Sequence, residues 1–203
     1  MTSHDPDFWA KAGDVCGLYF NPPENAVVWS VDEKSGMQAK SRINPTKPAI
    51  PGTPVRREFE YRRNGTAVLF AGLDVHDGAV AGWVTESTRS ENFVEFLGDL
   101  VRQTPGGLAL HCIVDNLATH STDLVHDFLT DNPHVHLHFT PTHASWLNQV
   151  ELFFSILERR LLRRGEFESV EHLAERVIAF IKDYNRKAAP FRWTYDGRPL
   201  RAA

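Results

Sequence analysis

Cysteine is scarce in this chain: its 203 residues hold two, Cys16 and Cys112. Neither belongs to a pair with metal-ligand spacing, which excludes a disulfide scaffold and a cysteine-built zinc module. Two free thiols in a reducing compartment are expected. Long apolar runs are also missing. None approaches the ~20 residues that cross a bilayer, and MTSHDPDFW lacks a signal-peptide pattern, so the reading is a cytosolic protein with no membrane partner. Nor is there a surplus of positive charge. Twenty-two basic against 26 acidic side chains give a net charge of −4, a total that argues mildly against nucleic acid unless the distribution overrides it. Internal repeats and low-complexity tracts are absent. What remains is 42% hydrophobic and 24% charged residues, the composition of a globular chain long enough for one substantial domain.

DPDFWAKAGDVCGLYF reads as a helix opened by Asp5 as N-cap with Pro6 at the first position, closed by NPP at 21–23. AVVWSVDEKS is a nearly unbroken apolar run ending at Asp32, as in a central strand covered on both faces. VRREFEYRRNGTAVLFAGLDV and AVAGWVTE read as strands, with Asn64-Gly65 and Asp77-Gly78 as turn signals. SENFVEFLGDLVRQT has helical periodicity with Ser90 as cap. LALHCIVDN repeats the apolar run ending in Val-Asp, at Asp115; TDLVHDFLTDN is a short helix and VHLHFTPT a fifth strand. HASWLNQVELFF, placed on a helix, lines up Trp146, Leu147, Val150, Phe153 and Phe154, continued by Leu157 and Leu161, with Glu151 at the edge of the stripe. A last helix covers Val170 to Tyr184. A meander followed by alternating helices and strands predicts an α/β fold with a mixed five-stranded sheet flanked by helices. An N-terminal helical arm over 1–22 would precede a domain over 23–203.

Two buried strands ending in Val-Asp and a glutamate beside an apolar stripe make an acidic trio of Asp32, Asp115 and Glu151. If strands one and four are neighbours, the aspartates emerge together and a helix over that edge can bring Glu151 to them. Clustered anions repel, and hard oxygen donors favour Mg²⁺ or Mn²⁺ over zinc. Two such ions ~3.5–4 Å apart suit phosphodiester chemistry, activating an attacking oxygen and stabilising a leaving one. Taken singly, each acid could equally be a turn or surface residue.

VVWSVDEKS, LHCIVDNLATH and HFTPTHASWLNQVELFF together resemble the three signature blocks of DDE transposases, specifically the bacterial insertion-sequence branch of the mariner superfamily. Thirty-five residues separate Asp115 from Glu151, within that superfamily's narrow range. The resemblance runs from about Asp5 to Trp193. It implies a ribonuclease-H-like catalytic domain of the retroviral-integrase type, with Asp32, Asp115 and Glu151 as catalytic, metal-binding acids holding two Mg²⁺, replaceable by Mn²⁺. It implies cleavage of DNA at transposon ends followed by strand transfer, on double-stranded DNA in the bacterial cytosol at the nucleoid. Asn116 and His120 match a DN…H block, and Leu147 and Asn148 a Leu-Asn pair; Asn116, His120 and Asn148 are thereby candidates for contacts to DNA. Gln149-Val150 stands where mariner relatives have Pro-Ile. The helix-turn-helix modules that normally precede the catalytic domain are absent from this sequence, so independent recognition of transposon ends is not expected. Alternatives are a nuclease of the same fold without strand transfer, and a non-catalytic DNA-binding remnant.

Arg159, Arg160, Arg163 and Arg164, with RREFEYRR at 56–63, are candidates for backbone phosphate contacts. Solvated helix-end arginines would look the same. Four prolines between positions 44 and 54 coincide with a loop by which mariner relatives reach a partner subunit, implying a homodimer on DNA. His120 could touch phosphate, orient a carboxylate or make a structural hydrogen bond. His134, His136 and His138 alternate on one strand face; their 6 to 7 Å steps favour packed or surface imidazoles over a zinc site. Asp74 reads as a hairpin residue, and Glu33 should face away from Asp32.

Overall fold

A computed structural model describes residues 5–44, 51–52 and 60–196. The proline-rich stretch at 45–50 and the start of the basic run at 56–59 lie outside the described residues, and with them most of the expected dimerisation loop. Five strands, β1 (Ala26–Arg42), β2 (Tyr61–Asp74), β3 (Val80–Thr85), β4 (Ala109–Val114) and β5 (Val135–Phe139), form one mixed sheet in the order β3-β2-β1-β4-β5. β1–β2 and β2–β3 are antiparallel; β1–β4 and β4–β5 are parallel. Strands one and four are neighbours, as the two Val-Asp runs require.

Period-two alternation divides the sheet between two helical layers. Trp29, Val31, Phe70, Leu110, Cys112 and Val114 face α2 (Ser90–Gln103) and α3 (Asp123–Asp131), burying Phe93, Phe96, Leu97 and Leu100. Ala71 and Leu73 face α4 (Val150–Leu157) and α5 (Val170–Asn185), where Phe153, Leu157, Leu173 and Val177 are fully buried. Each such side chain contributes ~1.5–3 kcal/mol. α1 (Phe8–Phe20) packs on the second face, with Val15 and Cys16 against Val28, Ile113 and Leu147. Cys16 and Cys112 are buried free thiols, and burial pushes the pKa of each up, away from the reactive thiolate.

Several local expectations give way to tertiary context. Asp5 is not the cap of α1: Asp7 occupies that position, and the Asp5 carboxylate accepts from the Asp7 and Thr142 N–H groups and from Lys11, tying the chain start to the loop after β5. β1 does not stop at Asp32 but runs on to Arg42. Asn64-Gly65 lies inside β2 rather than at a turn; the register slips between Gln38 and Lys40, Gly65 takes φ 120°, and the Asn64 amide reaches Ser41 Oγ and Phe167 O, so the left-handed residue serves a bulge. The Asp77-Gly78 turn is present, with Gly78 at φ 76° and Asp74 accepting from His76 N at 2.7 Å. Ser90 begins α2 instead of capping it, and its hydroxyl donates to Thr119 O.

Residues 143–154 do not form one helix. A 3₁₀ turn at Ser145–Leu147 precedes α4, and α4 continues as a π-helical turn over Glu158–Leu162. Leu147, Val150, Phe153, Phe154, Leu157 and Leu161 are buried as the stripe requires, but Trp146 is 52% exposed and meets Tyr195 edge-on.

Candidate active site

β1 pairs with β4 only as far as Ser30 opposite Ile113. Continuing that register by two residues sets Asp32 level with Asp115, just where β4 ends and β1 runs on paired with β2 only. Val28 and Ile113 share one cluster under α1 and the 3₁₀ turn, so alternation turns Asp32 and Asp115 toward the same side as α4.

The start of α4 is bolted to this place by side chains from elsewhere in the chain. Tyr19 Oη donates to Leu147 O at 2.8 Å and accepts from Gln149 N at 3.2 Å. Ser30 Oγ accepts from Val150 N at 2.9 Å and donates to Asn148 Oδ1. Two otherwise orphaned N–H groups of the helix start are thereby satisfied. Asn148 Nδ2 then donates to Val31 O at 2.8 Å and to Asp32 Oδ2 at 3.4 Å. Asn148 is 1% exposed; its amide is spent between α4 and β1, so its place is structural support beside Asp32 rather than the DNA contact expected of it. Glu151 stands in the first turn of α4, exposed, and among the described residues nothing hydrogen-bonds its carboxylate. The sequence set it at the edge of the apolar stripe, and the helix turns it to solvent.

Asp32 is 7% exposed. Burial pushes its carboxyl up to about 7, the Glu33 N–H at 2.7 Å works against this, and the charges of Asp115, Glu33 and Glu151 add to the rise. Asp115 is held below its ordinary value, chiefly by His120, against desolvation, with help from Leu117 N. Asp32, Asp115 and Glu151 do not bring one oxygen each within 4.8 Å of one another; among the described residues the set that does is Glu33, Asp115 and His120. The trio is thus an open rim and not a closed single-ion cage. Its all-oxygen donors, a buried carboxyl reluctant to ionise alone and a free Glu151 carboxylate fit hard divalent cations whose remaining positions are completed by substrate oxygens.

Glu33 faces away from Asp32, as alternation predicts, but its partner was not foreseen. Its Oε1 lies 2.8 Å from His120 Nε2, and His120 Nδ1 lies 3.2 Å from Asp115 Oδ1. His120 is buried, with its ring 4.1 Å from that of Phe93. Burial alone would lower its pKa; hydrogen bonds to Asp115 and Glu33 outweigh this and raise it to about 10. His120 is shut off from any phosphate on the surface.

Asn116 is exposed, with its amide donating to Thr140 O. Arg159, Arg160, Arg163 and Arg164 are exposed along the end of α4 and its π turn, while Glu158 takes Lys34 at 3.2 Å. His136 and His138 stack about His111, at centroid distances of 4.8 and 5.0 Å. His138 binds Asp14 at 2.7 Å, and His134, ahead of β5, is exposed. These imidazoles are packing and surface groups, and among the described residues no three donors converge on them.

A mixed sheet in this order, helices on both faces and acids level on neighbouring parallel strands define a ribonuclease-H-like domain. The family described as DDE superfamily endonuclease matches residues 27–174, and the chain belongs to it. Membership implies divalent-metal use. Similar solved structures include the catalytic domain of Mos1 mariner transposase, 14% identical with a TM-score of 0.58 over 92% of this chain and 86% of that one. The mariner Mos1 paired-end complex with Mg is 14% identical, with a TM-score of 0.60 over 90% of this chain and 58% of that one. The Mos1 strand transfer complex is 15% identical, with a TM-score of 0.59 over 86% of this chain and 53% of that one. At these identities the likeness is one of fold, and the chain spans a little over half of the full-length Mos1 chains. No curated protein matches it by sequence.

Proposed function

We propose that this chain is the catalytic domain of a transposase that cuts DNA at transposon ends and joins the freed 3′-hydroxyl to target DNA, acting as a homodimer on double-stranded DNA with two Mg²⁺ or Mn²⁺ per site. What supports the reading is the family to which the chain belongs, together with Asp32 and Asp115 level on neighbouring parallel strands and Glu151 in the first turn of a helix whose start Asn148 ties to Asp32. Bound divalent ions would supply activation of the attacking oxygen and charge stabilisation at the leaving oxygen. Asp32 and Asp115 would hold them at the floor of the site and Glu151 at the rim.

In the first step water attacks a phosphodiester and leaves a 3′-hydroxyl and a 5′-phosphate. In the second that hydroxyl attacks a phosphodiester of the target strand, which leaves with a 3′-hydroxyl of its own. Neither step forms a bond to the protein. Asn148 keeps one oxygen of Asp32 turned toward α4, and the exposed Glu151 is placed to meet a substrate arriving from solvent. The arginines on the exposed end of α4 would take backbone phosphates, a contact that positions a duplex without reading its sequence.

Labelled duplex carrying the element's terminal repeats, incubated with the chain, a target plasmid and Mg²⁺ or Mn²⁺, tests this reading, with a copy fused to an end-recognition module as control. Cleavage with joining, abolished by Asp115→Asn, is the expected result. Cleavage without joining would make it a nuclease of the same fold. Neither reaction, from folded protein in both forms, would overturn the proposal.

A further inference from the structure

In the gap where β4 ends and β1 continues, a buried side-chain bridge reaches Asp115 from behind. Glu33 comes from β1, on the sheet face opposite Asp32. His120 comes from the 3₁₀ turn Ala118–Ser121, whose Thr119 carbonyl accepts from Ser90 at the start of α2. The Phe93 ring from α2 closes over the imidazole. Glu33 and His120 stand 87 positions apart in sequence, yet their side chains are 3% and 0% exposed and meet at 2.8 Å. A buried carboxylate with no other function would be a costly way to close a core.

We infer that Glu33 is a positioning residue: by accepting from His120 Nε2 it fixes the ring so that Nδ1 holds Asp115 Oδ1, leaving the other carboxylate oxygen of Asp115 aimed at the space shared with Asp32. Three features support this. His120 Nε2 meets Glu33 Oε1, and Nδ1 lies 3.2 Å from both the main-chain oxygen and Oδ1 of Asp115, so the orientation of the ring is fully specified. Asp115 Oδ1 is claimed twice, by His120 and by Leu117 N at 2.9 Å, whereas among the described residues no hydrogen bond engages Oδ2. The ring cannot swing away without displacing Phe93. Ligating carboxylates commonly depend on such outer partners, and losing one typically costs ~10–100-fold in metal affinity.

This inference rests on the proposed metal site, so its test has two readouts. Mn²⁺ affinity of the full chain, measured from the free-ion electron paramagnetic resonance signal, should fall ~10–100-fold in Glu33→Ala. Glu33→Gln, which keeps an acceptor oxygen for His120, should stay within a few-fold of wild type. The His120 side-chain ¹⁵N resonances, assigned by their loss in His120→Asn, should shift in Glu33→Gln and separately in Asp115→Asn. Near-UV circular dichroism establishes that each variant is folded. Wild-type affinity in folded Glu33→Ala would overturn the inference, as would equal losses in Glu33→Ala and Glu33→Gln, or His120 resonances indifferent to both neighbours. If Glu33→Ala does not fold, Glu33→Gln and the resonances decide. If wild type binds no Mn²⁺, the metal reading fails by itself, and the His120 resonances still decide whether the bridge exists.

Discussion

Replacing Asp32 with asparagine should stabilise the metal-free chain at and above neutral pH and leave it little changed in acid. Burial first, then the charges of Asp115, Glu33 and Glu151, against one opposing hydrogen bond from Glu33 N, put the folded-state value at about 7, compared with 3.8 for the free group. The native state thus holds this proton more tightly than the unfolded chain does. The contribution to stability is complete below about pH 4 and is lost as pH rises to about 7, above which folding must carry a buried, charged carboxylate. About three pH units at ~1.4 kcal/mol each give an upper bound of ~4 kcal/mol. Water entering beside the exposed Glu151 trims this to ~2–4 kcal/mol, or ~4–15 °C in Tm for a chain of this size. Thermal melts of wild type and Asp32→Asn in EDTA, from pH 4 to 9, measure it. The advantage of the variant should grow between pH 4 and 7 and then level off; added Mn²⁺ should raise the Tm of wild type and not of the variant. An advantage independent of pH, or a variant less stable than wild type at pH 8, would refute the reasoning.

Asn148→Ala should cost ~2–4 kcal/mol in urea unfolding, because Val31 O and the Ser30 hydroxyl lose buried partners; a loss below ~1 kcal/mol would mean that the α4 start is held mainly by Tyr19 and apolar packing. Changing Arg159, Arg160, Arg163 and Arg164 to glutamine should lower the slope of log affinity for duplex DNA against log salt by ~0.9 for every phosphate contact removed, and an unchanged slope would return these side chains to the solvated helix end.

Much of the sheet was readable because its signals are collective. Two apolar runs with the same Val-Asp ending, separated by a meander and a helix, leave few ways to pair, and the observed β1–β4 neighbourhood is the one that brings both acids to one level. What was misread depends on contacts remote in sequence. Asn64-Gly65 has the chemistry of a tight turn, but a bulge needs the same left-handed residue, and the choice was made by Ser41 and Phe167. Trp146 falls in phase with Leu147 and Phe153 on an ideal helix; the 3₁₀ turn breaks that phase, and the bonds from Tyr19 and Ser30 that begin α4 at Val150 cannot be seen from the motif. Glu151, expected at the edge of the stripe, is exposed for the same reason. Alternation correctly sent Glu33 to the far face, where its meeting with His120 has no local signal beyond an acid next to Asp32 and a histidine five residues after Asp115.

Diffraction from crystals soaked in Mn²⁺, with anomalous scattering to locate the ions, tests the central claim most directly. The account predicts ion density ligated by oxygens of Asp32 and Asp115 at ~2.1–2.2 Å, with Glu151 closing on the same site or on a second ion ~3.5–4 Å away. Density confined to Glu33 and His120, or ions absent from the acids while the Glu151 carboxylate stays beyond reach of both aspartates, would contradict it.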